Sequence, residues 1–95
     1  MFAEYFVAKI VPEKRDEVIK GWNGAAELLK SKKGFKSSIL LYNENKNEYG
    51  HFDVWETKDD FYAYMDSIPD DNKKRVVSLF AEPPIRKTYE VYGQF

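Results

Sequence analysis

Residues 35–67 read FKSSILLYNENKNEYGHFDVWETKDDFYAYMDS. Two runs rich in aliphatic and aromatic residues, 35–43 and 49–56, border the polar stretch NENKNE at 43–48. That pattern reads as a β-hairpin. The Asn and Glu residues of the loop do not follow a calcium-loop spacing, so the loop reads as a solvated turn. Thr57 then caps a helix, with Asp60 three residues on as a variant of the capping box. Phe61, Tyr64, Met65 and Ile68 share one helical stripe, and Pro69 breaks it.

Outward from this stretch the plan repeats. Residues 2–11 read as a strand. Phe2, Phe6, Ala8 and Ile10 fall on one face, and Ala3, Tyr5, Val7 and Val11 on the other, so both faces call for cover. Pro12 and Glu13 suit the first turn of a helix over 13–31. Val18, Trp22, Ala25, Ala26 and Leu29 form its apolar stripe. Asn23 points away from that stripe. Gly34, after three lysines, is the stop signal. Asp70 or Asp71 restarts a helix expected to hold Val76, Val77, Leu79 and Phe80 inside. EPP at 82–84 is a stiff connector, and 86–95 alternate as a last strand.

The order is β-α-β-β-α-β. It predicts a ferredoxin-like α+β fold, an antiparallel sheet with its helices on one face, in a single domain over residues 1–95. Helices on one face leave the other bare, although the first strand is apolar on both. A second copy of the chain is the expected cover, so a homodimer is predicted.

Composition narrows the function classes. Fifteen Lys and Arg stand against sixteen Asp and Glu, a net charge of −1, so no overall field draws nucleic acid. The basic runs KSKK at 30–33 and KKR at 73–75 read as solvated helix ends; a rim attracting an anionic ligand is the other reading. Cysteine is absent, which excludes disulfides and thiolate metal sites. No stretch reads as a membrane span or secretory signal, so the cytoplasm is the expected compartment. Aromatic residues make up 17% of the chain, more rings than so small an interior readily holds.

His51 is the only histidine. It shares a strand face with Asp53, two residues on. The pair reads either as a hydrogen-bonded pair facing water or the dimer interior, or as part of a site. Trp22, Trp55, Phe61 and Tyr64 read as core or as pocket walls, with Gly21, Gly24 and Ala25 leaving room between the first helix and the sheet.

Three segments, KKGFKSSILL, FDVWETKDDFYAYM and EPPIRKTYEVYG, together resemble the antibiotic biosynthesis monooxygenase family. The resemblance implies a dimeric α+β barrel in which two such sheets pack face to face. Haem-degrading members use a second-helix histidine as iron ligand, a first-strand asparagine and a second-helix tryptophan. Residues 57–80 contain neither histidine nor tryptophan, and Val7 stands near the asparagine position, so a haem site is not expected. Another branch oxidises polycyclic phenols or anthrones with O2 and neither metal nor flavin. Against its pattern, HFDVW places His51 at a polar asparagine position and Trp55 at a tryptophan. Phe61 stands at the helix tyrosine position, and Tyr64 follows one turn on.

The resemblance thus implies a cofactor-independent monooxygenase acting on a small aromatic or quinol-like substrate, with no cofactor and no metal. The candidate catalytic residues are His51, Trp55 and Tyr64, and the candidate substrate-binding residues are Trp22, Phe61 and Tyr5. The rival expectation is a non-catalytic dimeric module that binds a small hydrophobic ligand or a partner. A pocket with His51 or Tyr64 reaching into it would favour the enzyme; a filled core with His51 outside would favour the module.

Overall fold

The computed structural model describes residues 1–95. Its elements are β1 (Phe2–Lys9), α1 (Arg15–Leu29), β2 (Phe35–Asn43), β3 (Glu48–Trp55), α2 (Lys58–Ser67), α3 (Asp70–Val77) and β4 (Ile85–Glu90), with a 3₁₀ turn at Pro12–Lys14 leading into α1. The four strands form one antiparallel sheet in the order β2-β3-β1-β4. This is the ferredoxin-like α+β plan expected from the chain, with its second helical region in two pieces.

Local chemistry sets the boundaries. Thr57 accepts a hydrogen bond from the Asp60 amide at 3.1 Å, which caps α2. Gly34 turns the chain with φ of 81°, a left-handed conformation open to glycine. A Cβ there would lie 2.2 Å from Asp60 Oδ2. Arg15, at the start of α1, grips Glu44 in the hairpin loop with two nitrogens and lies 5.3 Å over the Tyr42 ring. The two-pronged contact ties the helix to the β2–β3 turn. It raises the pKa of Arg15 and lowers that of Glu44.

Alternation then divides the sheet. Phe2, Glu4, Phe6 and Ala8 of β1 share one face with Trp55, Asp53, His51 and Tyr49, their partners on β3. Apolar residues of this face meet the helices in two clusters. One joins Phe6, Ala8, Ile10 and Tyr49 to Val18 of α1; the other joins Phe2 and Trp55 to Leu29 of α1 and Phe61 of α2. Between the two clusters lie the polar side chains of Glu4, His51 and Asp53, all buried.

The opposite face carries Tyr5, Val7, Ile39, Leu41, Phe52, Val54, Ile85 and Tyr89. No helix covers it, and Ile39 and Ile85 are each 58% exposed.

Some expectations are corrected. Val76 and Val77 are exposed, not inside: no residue of α3 is buried, and it is Leu79 and Phe80 beyond the helix that pack on the first cluster. Leu79 and Phe80 are half-buried there, and the Val11 and Ala81 amides bond Leu79 and Lys9 carbonyls at 3.0 and 2.8 Å. Gly21 and Gly24 are exposed, and a Cβ on either would meet nothing within 4 Å, so neither makes room against the sheet. β1 ends at Lys9 rather than Val11, and β4 at Glu90 rather than 95.

Candidate functional site

The polar group between the two apolar clusters follows from strand register. Phe6 pairs with His51 on β3 and with Arg86 on β4; Glu4, two residues before, pairs with Asp53 and Thr88. Cross-strand neighbours on one face interact directly or along the diagonal. His51 Nε2 lies 2.6 Å from Glu4 Oε1, and Nδ1 lies 2.9 Å from the Tyr49 hydroxyl. A carboxylate only accepts, so the Nε2–H donates to Glu4, and in the neutral ring Nδ1 accepts from the Tyr49 O–H. Arg86 Nε lies 2.6 Å from Glu4 Oε2. Their alignment is outside hydrogen-bond geometry, so this contact is an ion pair. Ser38 donates to Asp53 Oδ1 at 2.5 Å, and Asp53 Oδ2 lies 3.8 Å from His51 Nε2.

Rings enclose the imidazole. Phe6 lies parallel to it at 4.9 Å and 6°, and Trp22 of α1 covers its other side at 4.5 Å and 10°. Arg86 sits 5.2 Å over the far face of the same Phe6 stack. The result is a layered arrangement of guanidinium, phenyl, imidazole and indole drawn from four elements. Stacked aromatic pairs contribute about 0.5–1.5 kcal/mol each beyond the area they bury.

Burial governs the electrostatics. It pushes the Asp53 carboxyl up, against the opposing pull of His51 and Ser38. It also pushes the Tyr49 and Tyr64 hydroxyls up, with the negative charges of Asp53 and Glu4 adding to the effect. Both tyrosines are therefore neutral phenols, and Tyr49 donates its hydroxyl proton to His51 Nδ1. Glu4, His51 and Asp53 are also the cluster in which a cation would find three donors, with ligand atoms within 4.8 Å of one another. Glu4 and His51 are engaged with each other and with Arg86 and Tyr49, which is the geometry of a hydrogen-bonded network.

Beside the network, α1 and β2 bound a cleft of about 150 Å³ lined by Asn23 and by apolar residues that include Ile19, Trp22, Leu40, Leu41 and Tyr49. Asn23, which the helical pattern set aside, is part of that lining.

The expected site residues fall into three groups. His51 and Trp22 come together at the network. Trp55, Phe61 and Tyr64 pack with one another in the second cluster. Trp55 and Phe61 are closed from solvent, while Tyr64 is half-buried and stacks on Trp55 at 5.4 Å. Tyr5 lies on the opposite, helix-free face, against Phe52. Glu4 and Tyr49 were missed. The signal for Glu4 was a lone carboxylate among Phe2, Phe6, Ala8 and Ile10; for Tyr49 it was the spacing of two residues from His51.

The fold and site define a ferredoxin-like α+β protein with a histidine network between sheet and helices. The chain belongs to the antibiotic biosynthesis monooxygenase family, whose model matches residues 1–80. Among solved structures it is similar to Rv0793 from Mycobacterium tuberculosis, with TM-score 0.86 and 14% identity over 98% of this chain and 96% of that one. It is also similar to a monooxygenase from the gene ActVA-Orf6 of Streptomyces coelicolor in complex with nanaomycin D, with TM-score 0.79 and 15% identity over 99% and 89%. NE2512, a protein of unknown function from Nitrosomonas europaea, gives TM-score 0.83 and 15% identity over 99% and 91%. At these identities the likeness bears on the fold alone. No curated protein sequence matches. No helix is long and apolar enough to cross a membrane.

Proposed function

We propose that the chain is a cofactor-independent monooxygenase that oxidises a small aromatic or quinol-like molecule with O2, and that it works as a homodimer. Family membership supports a monooxygenase-like role. A relative of the same fold holds a small-molecule ligand, nanaomycin D. The observation that carries the reading is the chain's one histidine, buried on the helix side of the sheet and bonded to a tyrosine whose ring walls a cleft.

The chemistry needs an electron-rich ring, a proton acceptor and O2. Loss of the hydroxyl proton leaves a phenolate, which passes one electron to O2. Recombination at a ring carbon and loss of water complete the step. For a hydroquinone, substrate and O2 become a hydroxyquinone and one water; the ring supplies all four electrons that O2 takes up. His51 is the proton acceptor, and Glu4 holds the resulting imidazolium. A positioned base contributes about 10²–10⁴ in rate.

The homodimer follows from the bare sheet face. A second copy covers Tyr5, Ile39, Leu41, Phe52 and Ile85 and places Tyr5 in the interface. Lack of cysteine fits a cytoplasmic setting.

Oxygen uptake by metal-stripped protein, tested with substituted phenols and hydroquinones, checks the reading. Uptake above the protein-free rate is expected, with a fall of about 10²–10⁴ in His51→Ala. A panel with no uptake at all would leave the second reading, a non-catalytic module. That reading draws on the fact that both ring nitrogens of His51 are already bonded.

A further inference from the structure

His51 is 4% exposed and lies between two rings, so no substrate can touch the imidazole without displacing Trp22 or Phe6. Its Nε2 is taken by Glu4. Any proton it accepts must arrive at Nδ1, and the group at Nδ1 is the Tyr49 hydroxyl. Tyr49 is as buried as His51, at 4% exposed, but it is the one member of the hydrogen-bonded network among the residues that line the α1–β2 cleft. We propose that Tyr49 is the residue that meets the substrate hydroxyl, that Glu4 is the positioning residue that fixes the His51 tautomer, and that the α1–β2 cleft takes a single-ring phenol or hydroquinone. The proposal rests on the monooxygenase reading and gives that site its entrance, its relay and its size limit.

The relay balances without a free charge at Tyr49. The substrate O–H proton passes to the Tyr49 oxygen as the Tyr49 proton passes to His51 Nδ1. The products are a substrate phenolate, an unchanged tyrosine and an imidazolium. The imidazolium keeps its Nε2–H on Glu4, whose carboxylate offsets the new charge. Burial beside Asp53 and Glu4 disfavours a tyrosinate, which suits a residue that relays a proton without keeping it. Arg86 on Oε2 holds Glu4 from the other side, so the acceptor does not swing away.

Size follows from the cleft. Pockets that bury drug-sized ligands commonly span about 300–1,000 Å³, and this cleft offers about 150 Å³. One ring with small substituents matches that volume, and the rest of a fused polycyclic system would extend outside the cleft. Ile19, Leu40 and Trp22 supply apolar walls, and Asn23 is a polar group at the cleft.

The test uses 4-nitrophenol, whose absorption separates phenol from phenolate, with the full-length protein and without turnover. Wild-type protein is expected to bind it and shift the bound probe to its phenolate band at a pH where the free probe is mostly protonated. Tyr49→Phe keeps the ring, so it should bind within about threefold of wild type while the phenolate band falls at least tenfold. Glu4→Gln keeps an acceptor but removes the charge and should also lower the phenolate fraction. Leu40→Trp fills the cleft and should abolish binding while its amide spectrum shows an intact fold. The relay is overturned if wild type does not bind the probe, or if Tyr49→Phe retains the phenolate band. The cleft assignment is overturned if Leu40→Trp binds normally, or if a fused-ring phenol competes as well as a single-ring one. Phenolate formation without oxygen uptake on any phenol would defeat the monooxygenase reading and leave the relay standing.

Discussion

The rings of His51 and Trp22 lie parallel, 4.5 Å apart at their centroids and 10° apart in plane, although one residue is on a strand and the other on a helix. The contact joins α1 to the buried polar group and seals the imidazole from solvent. It also places the indole edge-on to Tyr49 at 5.6 Å. One side chain of α1 thus shapes the network and the cleft wall together.

Trp22→Ala is expected to cost about 2–4 kcal/mol, from lost apolar burial and two lost ring contacts. Trp22→Phe keeps a ring over His51 and should cost clearly less. Thermal melts read the difference, since about 1 kcal/mol moves a domain of this size by roughly 4–8 °C. Equal melting points for the two variants would show that stacking on His51 contributes nothing.

Sedimentation at micromolar concentration is expected to give twice the chain mass. Obligate interfaces commonly bury on the order of 2,000 Å² or more. Leu41, 47% exposed on the bare face, should lie within that buried area. Leu41→Asp puts a charge there and should shift the protein to monomer. A wild-type monomer under these conditions contradicts the interface.

Asp53 sets a pH dependence. Its carboxyl is pushed up by burial, so the folded state holds the proton more tightly than the unfolded chain does. The sign follows by linkage: stability is fully present below the ordinary aspartate range near 3.8 and is lost as pH rises through the higher folded value. Across the sheet, Asp53 faces Glu4, a like-charged partner once both are ionised. Asp53→Asn should therefore flatten that descending limb and melt above wild type at pH 7. Melting below wild type at pH 7 would mean that the contacts to Ser38 and His51 outweigh the cost of burial.

Two glycine substitutions should move stability in opposite directions. Gly24→Ala fills open space on α1 and removes the helix penalty of glycine, a gain of about 0.5–1 kcal/mol. Gly34→Ala must hold a left-handed φ of 81° and push Asp60 aside, a loss of about 1–2 kcal/mol. Denaturant midpoints measure both. A stabilising Gly34→Ala would contradict the turn geometry.

The fold was legible because its signals are local and mutually consistent. Apolar alternation marked the strands, Thr57 marked the start of α2, Gly34 the turn after α1, and the 35–56 hairpin came with its own turn residues. Val76 and Val77 misled, because an apolar pair late in a short helix looks internal until the whole helix is seen to be exposed. Gly21 and Gly24 misled for a similar reason, since the pattern does not say which side of a helix has space.

The sequence by itself determined the order of elements, the two-faced first strand and the sharing of one strand face by His51 and Asp53. Each depends on a period of two or 3.6 residues, which the backbone imposes locally. Only the tertiary structure decided what His51 touches. Glu4 is 47 residues away in the chain, and Arg86 is a further 35 beyond His51. They meet because antiparallel pairing of β1 with both β3 and β4 sets Phe6 between His51 and Arg86, with Glu4 one step along the same face. Register is a property of paired strands, and a shift of one residue would turn Glu4 out to the bare face. Tyr49 shares a face with His51 by local alternation, but α1 had to pack on the sheet before its ring became a wall of the cleft.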